Sequence, residues 1–219
     1  MAVSRRSRRS RSTSDPASDA LARAIRHAAE RGAAALSEMT GRGIAAEAVA
    51  LRTVPLAELS TLAGDPERPV VAIHLGVGGD GSGCILLALS ESAAYELVDM
   101  LLGQPAGTTR ALEPLEVSAL AEVGNVAGSF FLTALADGAR LVLAPTPPIV
   151  FHEMRGAILD TLAAELMLLE WDDALVVETE FACDDQVVDV AFFMFPGPAM
   201  VQAVTEAMLV GVGHGRHGE

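Results

Sequence analysis

The stretch VVAIHLGVGGDGSGCILLALS, residues 70–90, decides how the chain folds. Two runs rich in Val, Ile and Leu flank the turn GVGGDGSG (76–83), where glycines permit a tight reversal. The pattern predicts a β-hairpin. It recurs in the second half as ALVVETEFAC (174–183), DDQ (184–186) and VVDVAFFMF (187–195), a second hairpin on a short polar turn.

The segments around the hairpins recur as well. Residues 14–43 (SDPASDALARAIRHAAERGAAALSEMTGRG) predict a long helix with Asp19 as its N-cap and Gly41 or Gly43 at its end. The β-branched run IAAEAVALRTV (44–54) follows, and ESAAYELVDMLLG (91–103) closes the unit as an amphipathic helix. The order then repeats: a long helix at 114–138, an extended Pro-bounded run at 141–151, the hairpin, and a closing helix at 197–211. At an offset of 99, Ala20-Leu21-Ala22 falls on Ala119-Leu120-Ala121, and Leu36 falls on Leu135. The predicted fold is α/β: a pseudo-two-fold repeat of helix-strand-hairpin-helix units, with helices flanking one continuous, largely antiparallel sheet. The expected organisation is a disordered Arg/Ser-rich tail at 1–18, one domain at 19–210 made of halves 19–104 and 113–210, and a flexible Gly/His tail at 211–219.

Composition excludes several classes. The chain has 219 residues, 51% of them apolar, enough for a substantial core. No apolar run reaches the roughly 18 residues of a membrane span. The Arg-bearing N-terminus has no apolar h-region after it, so no secretory signal is predicted and the cytoplasm is the expected location. Net charge is −14, but residues 1–14 hold five Arg and no acid, which leaves −19 for the rest. So acidic a body repels phosphate backbones and argues against nucleic-acid binding by the folded part.

Most apparent motifs have plain explanations. No Gly-Lys-Ser/Thr follows GVGGDGSG, so it reads as a hairpin turn and not a phosphate loop; a small-molecule enzyme has only this turn behind it. His152-Glu153 lacks the second His of a zinc helix. Cys84 and Cys183 have no CxxC spacing and read as small apolar residues. Asp172-Asp173 and Asp184-Asp185 stand at turns, where short acids cap backbone groups. No metal site is expected.

One stretch resists such a reading. In SALAEVGNVAGSF (118–130), Ser118, Glu122, Asn125 and Ser129 fall within an arc of about 60° on a helix. Leu120, Val123, Ala127, Phe130 and Phe131 occupy the opposite arc and are predicted core. The polar stripe is narrow and free of Arg, and 23 residues after Asn125 comes Pro148, the end of a rigid PTPP segment.

Ser118-x3-Glu122-x2-Asn125-x22-Pro148 resembles the signature [Asp/Ser]-x3-Glu-x2-Asn-x22-Pro of the CheC/CheX/FliY phosphatases of bacterial and archaeal chemotaxis. The surrounding text LEVSALAEVGNVAGSFFLTALAD (115–137) and PTPPIVFHEMRGAIL (145–159) is similar to the second half of CheC. ALSEMTGRGI (35–44), VPLAEL (54–59) and LSESAAYELVDMLLG (89–103) are similar to its first half. At the same offset of 99, the first-half motif positions are Asp19, Arg23, Arg26 and Val49. The acid survives there, but arginines cannot copy an amide that orients water, so the first-half site is expected to be silent.

The resemblance implies hydrolysis of the aspartyl phosphate of a CheY-like response regulator. The regulator carries its own Mg²⁺ and lysine at the phosphoryl group, so no cofactor of this chain's own is expected. Asn125 would orient the attacking water, and Glu122 would pair with the regulator's lysine. Ser118 and Pro148 would support them. The family also binds the receptor deamidase CheD in many systems. The alternative the resemblance leaves open is a non-catalytic binding module of the same fold, a CheD adaptor or a flagellar switch component.

Overall fold

Both predicted hairpins form. The computed structural model describes residues 16–61, 64–183 and 186–214. Along the chain the elements are α1 (Pro16–Thr40), β1 (Ile44–Pro55), a 3-10 helix (Leu56–Thr61), β2 (Pro69–Gly79), β3 (Gly83–Ser90) and α2 (Glu91–Leu101). The second half continues with α3 (Pro114–Ala139), β4 (Leu143–Pro145), β5 (Ile149–Met154), α4 (Arg155–Leu168), β6 (Asp173–Cys183), β7 (Gln186–Pro196) and α5 (Pro198–His214). The seven strands make one sheet in the order β1-β6-β7-β3-β2-β4, with β5 also on β2 beside β4. Every pairing is antiparallel.

The two corresponding strands β3 and β7 pair at the centre, Leu86 opposite Phe193, which places the pseudo-two-fold axis between them. The outer strands are exchanged. β1, from the first half, lies against β6 of the second, and β4 and β5, from the second half, lie against β2 of the first. Neither half therefore completes its own sheet. Sequence periodicity is blind to this, because an exchanged strand needs the same alternation as one paired at home.

The sheet has a core on each face. Odd-numbered residues of β2 (Val71, Ile73, Leu75) pack with α1, α3 and α5. Even-numbered ones (Val70, Ala72) pack with α4 and the 3-10 helix. Helix α4 departs from the predicted repeat, since the first half has only the 3-10 helix at that point. Its Ile158, Leu159, Leu162 and Leu166 are buried over the second face.

Two predicted boundaries move. α1 begins at Pro16, where a proline suits the first helical turn, so Asp19 sits within that turn and is not the N-cap. α5 runs to His214, past the helix end expected at Gly211 and into the predicted tail. Of the predicted tails at 1–18 and 211–219, residues 1–15 and 215–219 lie outside the described residues, as does the turn Asp184-Asp185. Asp99, 2% exposed at the end of α2, ties down the link between the halves. Its carboxylate accepts from the N–H groups of Thr108 at 3.0 Å and Thr109 at 2.8 Å.

Candidate active site

Helix α3 carries the polar stripe, and its ends are well defined. Pro114 occupies the first turn, the Glu113 N–H donates to Glu116 Oε2 at 3.1 Å, and Arg140 closes the helix in the left-handed region. By length and apolarity α3 would pass for a membrane span, yet half of it is buried inside the fold. Leu120, Val123, Ala127 and Phe131 point into the core, as predicted.

Gly124 and Gly128 face the sheet. A Cβ on Gly124 would lie 2.4 Å from Ile73 Cγ2, and one on Gly128 would lie 3.2 Å from Leu75 Cδ2. The two glycines let α3 settle directly onto β2. This turns Ser118, Glu122, Asn125 and Ser129 outward. Ser118 and Glu122 are exposed; Asn125 and Ser129 are half-buried. Among the described residues none of these four side chains has a hydrogen-bond or ion-pair partner. Their donors and acceptors are available to something outside the chain.

The PTPP segment is fixed to the same strand. Thr146 donates its N–H to the Gly76 carbonyl at 2.8 Å, and its Oγ1 accepts from the Gly76 N–H at 2.9 Å. Asp80, in the Gly-rich turn, exchanges two hydrogen bonds with the Val142 backbone, each 2.8 Å. Gly79 makes the approach feasible, with φ +106 and a Cβ position only 2.2 Å from the Val142 carbonyl oxygen. The turn that resembles a phosphate loop is thus the anchor of β4. Beyond Pro148, β5 resumes with Val150 opposite Ile73, the residue under Gly124. Through Ile73, the Asn125 turn of α3 and the strand that follows Pro148 are set against one another, and α3 touches both β4 and β5.

Surface amides and carboxylates without internal partners, beside a stiff proline corner, suit binding and orienting a small polar species, water included. No family model matches the chain. It is 30% identical over 168 residues to the CheY-P phosphatase CheC of Bacillus subtilis, spanning 75% of this chain and 80% of that protein. The chain belongs to the CheC/CheX/FliY family.

Solved structures of the family share its fold. Thermotoga maritima FliY superposes with a TM-score of 0.69 at 18% identity, covering 90% of this chain and 97% of that one. A chain of the CheX–CheY–BeF3–Mg²⁺ complex from Borrelia burgdorferi gives a TM-score of 0.53 at 17% identity, covering 80% and 96%.

The first-half copy of the family motif is not assembled. Arg23 and Arg26 are exposed on α1. Val49 stands within strand β1, paired with Thr179 just past a register shift between Ala46 and Ala48, where the second half is interrupted between β4 and β5 by Pro147 and Pro148. Valine has an N–H to donate and so fits within a paired strand; proline has none. So the first half has no counterpart of the proline corner at Pro148. Among the described residues no cluster of three or more His, Cys, Asp or Glu could hold a metal. His152 instead bonds Glu91 Oε1 through Nε2 at 2.7 Å, joining β5 to the start of α2.

One neighbour of the stripe escaped the sequence reading. Phe130, predicted core, is 43% exposed. It lines a cleft of about 330 Å³ between α1 and α3, with His27, Arg31, Ser129, Thr133 and Asp137. Phe130 stands about 100° around the helix from its buried neighbour Phe131, at the edge of the apolar arc, so a helical wheel alone leaves it on the boundary. Where α1 crosses over α3 decides which side it takes.

Proposed function

We propose that this protein hydrolyses the aspartyl phosphate of a CheY-like response regulator by positioning the attacking water. The observation that carries the reading is the outward pair Glu122 and Asn125, three residues apart on α3 and without partners among the described residues. Membership of a family whose Bacillus subtilis relative is named a CheY-P phosphatase supports it.

An acyl phosphate is already reactive, and the regulator's own Mg²⁺ supplies charge neutralisation at the phosphoryl group. What this chain adds is orientation. The Asn125 amide offers an acceptor and two donors, so it holds a water without itself becoming a nucleophile. The water oxygen attacks phosphorus in line, the P–O bond to the aspartyl carboxylate breaks, and inorganic phosphate and a free carboxylate result. Glu122, a neighbour of Asn125 on the helix surface, pairs with the regulator's lysine and holds the amide in register. Ser118 adds a small polar contact and Pro148 a rigid wall.

The test is phosphate release from acyl-phosphorylated regulator with wild type and Asn125→Ala. Wild type should accelerate release, and the variant should lose on the order of 10²-fold or more while keeping its melting temperature. A wild type that binds the phosphorylated regulator and leaves its phosphate lifetime unchanged would instead make the protein a binding module.

A further inference from the structure

We infer that the cleft between α1 and α3 is a specificity pocket for the regulator, in which Arg31 pairs with an acidic side chain of the partner and Phe130 packs beneath it. The inference rests on the phosphatase reading and names the residues that choose the partner.

Arg31 is exposed, and among the described residues it has no ion pair or hydrogen bond. Asp137, the acid that lines the same cleft, does not engage it. In a body of charge −19, an arginine left unneutralised beside an exposed aromatic ring is unusual.

Geometry brings the cleft into any docked complex. Ser129 lines the cleft and also continues the stripe, four residues beyond Asn125, or about 6 Å along the helix. Even a small transient interface buries several hundred Å² per partner, a patch roughly 14–16 Å in radius. A regulator presenting its phosphoryl group to Asn125 therefore overlaps the Ser129 rim of the cleft, and Arg31 and Phe130, which line it beyond that rim, fall at the edge of the footprint. Covering an unpaired guanidinium strips it of water, so a partner that fits must bring a carboxylate. That carboxylate must stand clear of the phosphoryl site, because those that hold the regulator's Mg²⁺ are already engaged. Elsewhere the acidic body repels such a surface; at Arg31 it attracts.

Arg23 provides an internal control. Gly32 packs on Ala127 and Phe131, while His27 and Arg31 face the cleft with Ser129 to Gly138, so the start of α1 lies beside the last turns of α3. Arg23 stands two turns, about 12 Å, further from Asn125 than Arg31, beyond the expected footprint. It carries the same charge on the same helix and does not line the cleft.

The experiment is steady-state dephosphorylation of acyl-phosphorylated regulator, with regulator titrated against wild type, Arg31→Glu, Arg31→Lys, Phe130→Ala and Arg23→Glu. Arg31→Glu should raise KM about tenfold or more with kcat within about twofold, and Arg31→Lys should recover most of that loss. Phe130→Ala should raise KM in the same sense, and Arg23→Glu should leave both constants within about twofold. An unchanged KM in Arg31→Glu, or an equal rise in Arg23→Glu, overturns the pocket while the phosphatase reading stands. If wild type proves inactive, that reading fails. The pocket is then judged by affinity for regulator carrying a beryllium fluoride phosphoryl mimic, where equal binding by wild type and Arg31→Glu overturns it.

Discussion

Gly124 rests on Ile73 so closely that a methyl group on its Cα would sit 2.4 Å from Ile73 Cγ2. The residue next to Asn125 is thus the point at which α3 is seated on the sheet. Ile73 is opposite Val150 on β5, so a single β2 residue sets both walls of the candidate site.

Gly124→Ala should consequently lower stability, although alanine is the better helix former by about 0.5–1 kcal/mol. Overpacking of this kind typically costs about 1–3 kcal/mol. A fall of several degrees in Tm is expected at about 2–4 °C per kcal/mol for a domain of this size. Phosphatase activity at low temperature should fall too, because lifting α3 displaces Asn125. Thermal denaturation together with phosphate release checks both.

Glu122 is expected to act through its charge. Glu122→Ala should weaken binding of regulator bearing a phosphoryl mimic by at least about tenfold and slow turnover, since the partner's lysine is left covered and alone. Glu122→Gln should recover little, because it keeps the shape and loses the charge. Equal affinity and turnover for wild type and Glu122→Gln would rule out the charge pair.

Asp99 predicts a pH dependence of stability. The N–H groups of Thr109 and Thr108, donating at 2.8 and 3.0 Å, hold its carboxyl below the ordinary value of 3.8, against the opposing effect of burial. A carboxyl depressed in the folded state stabilises fully above its unfolded value and ceases to do so as pH falls through the folded one. Asp99→Asn should therefore melt several degrees lower than wild type at neutral pH. The gap between the two Tm curves should stay constant down to about pH 5 and close in stronger acid.

The exchanged strands predict that the halves are inseparable. Residues 16–104 alone keep β1 without β6 and leave the β2 edge uncovered, and residues 113–214 alone have the mirror defect. Neither fragment should show cooperative unfolding by circular dichroism, whereas the two expressed together should assemble into a 1:1 complex. A stably folded single half would contradict the strand order.

The repeat was legible in the sequence because it rests on local patterns. Alternation in 70–90 and 174–195 specified the hairpins, and a 3.6-residue period specified α1 and α3. The stripe of Ser118, Glu122 and Asn125 follows from the same period, and its spacing to Pro148 pointed to the family. Tertiary structure decided everything that depends on which surfaces meet. It exchanged β1 with β4 and β5, since pairing energy is indifferent to which half supplies an edge strand. The glycines of 76–83, read as a flexible turn, became an anchor because Val142 and Thr146 approach them from distant sequence. Phe130 passed from expected core to the wall of a cleft because the crossing of α1 over α3 uncovers it. Periodicity says which side of a helix is apolar, but how much of that side a neighbour covers is fixed only when the helices pack.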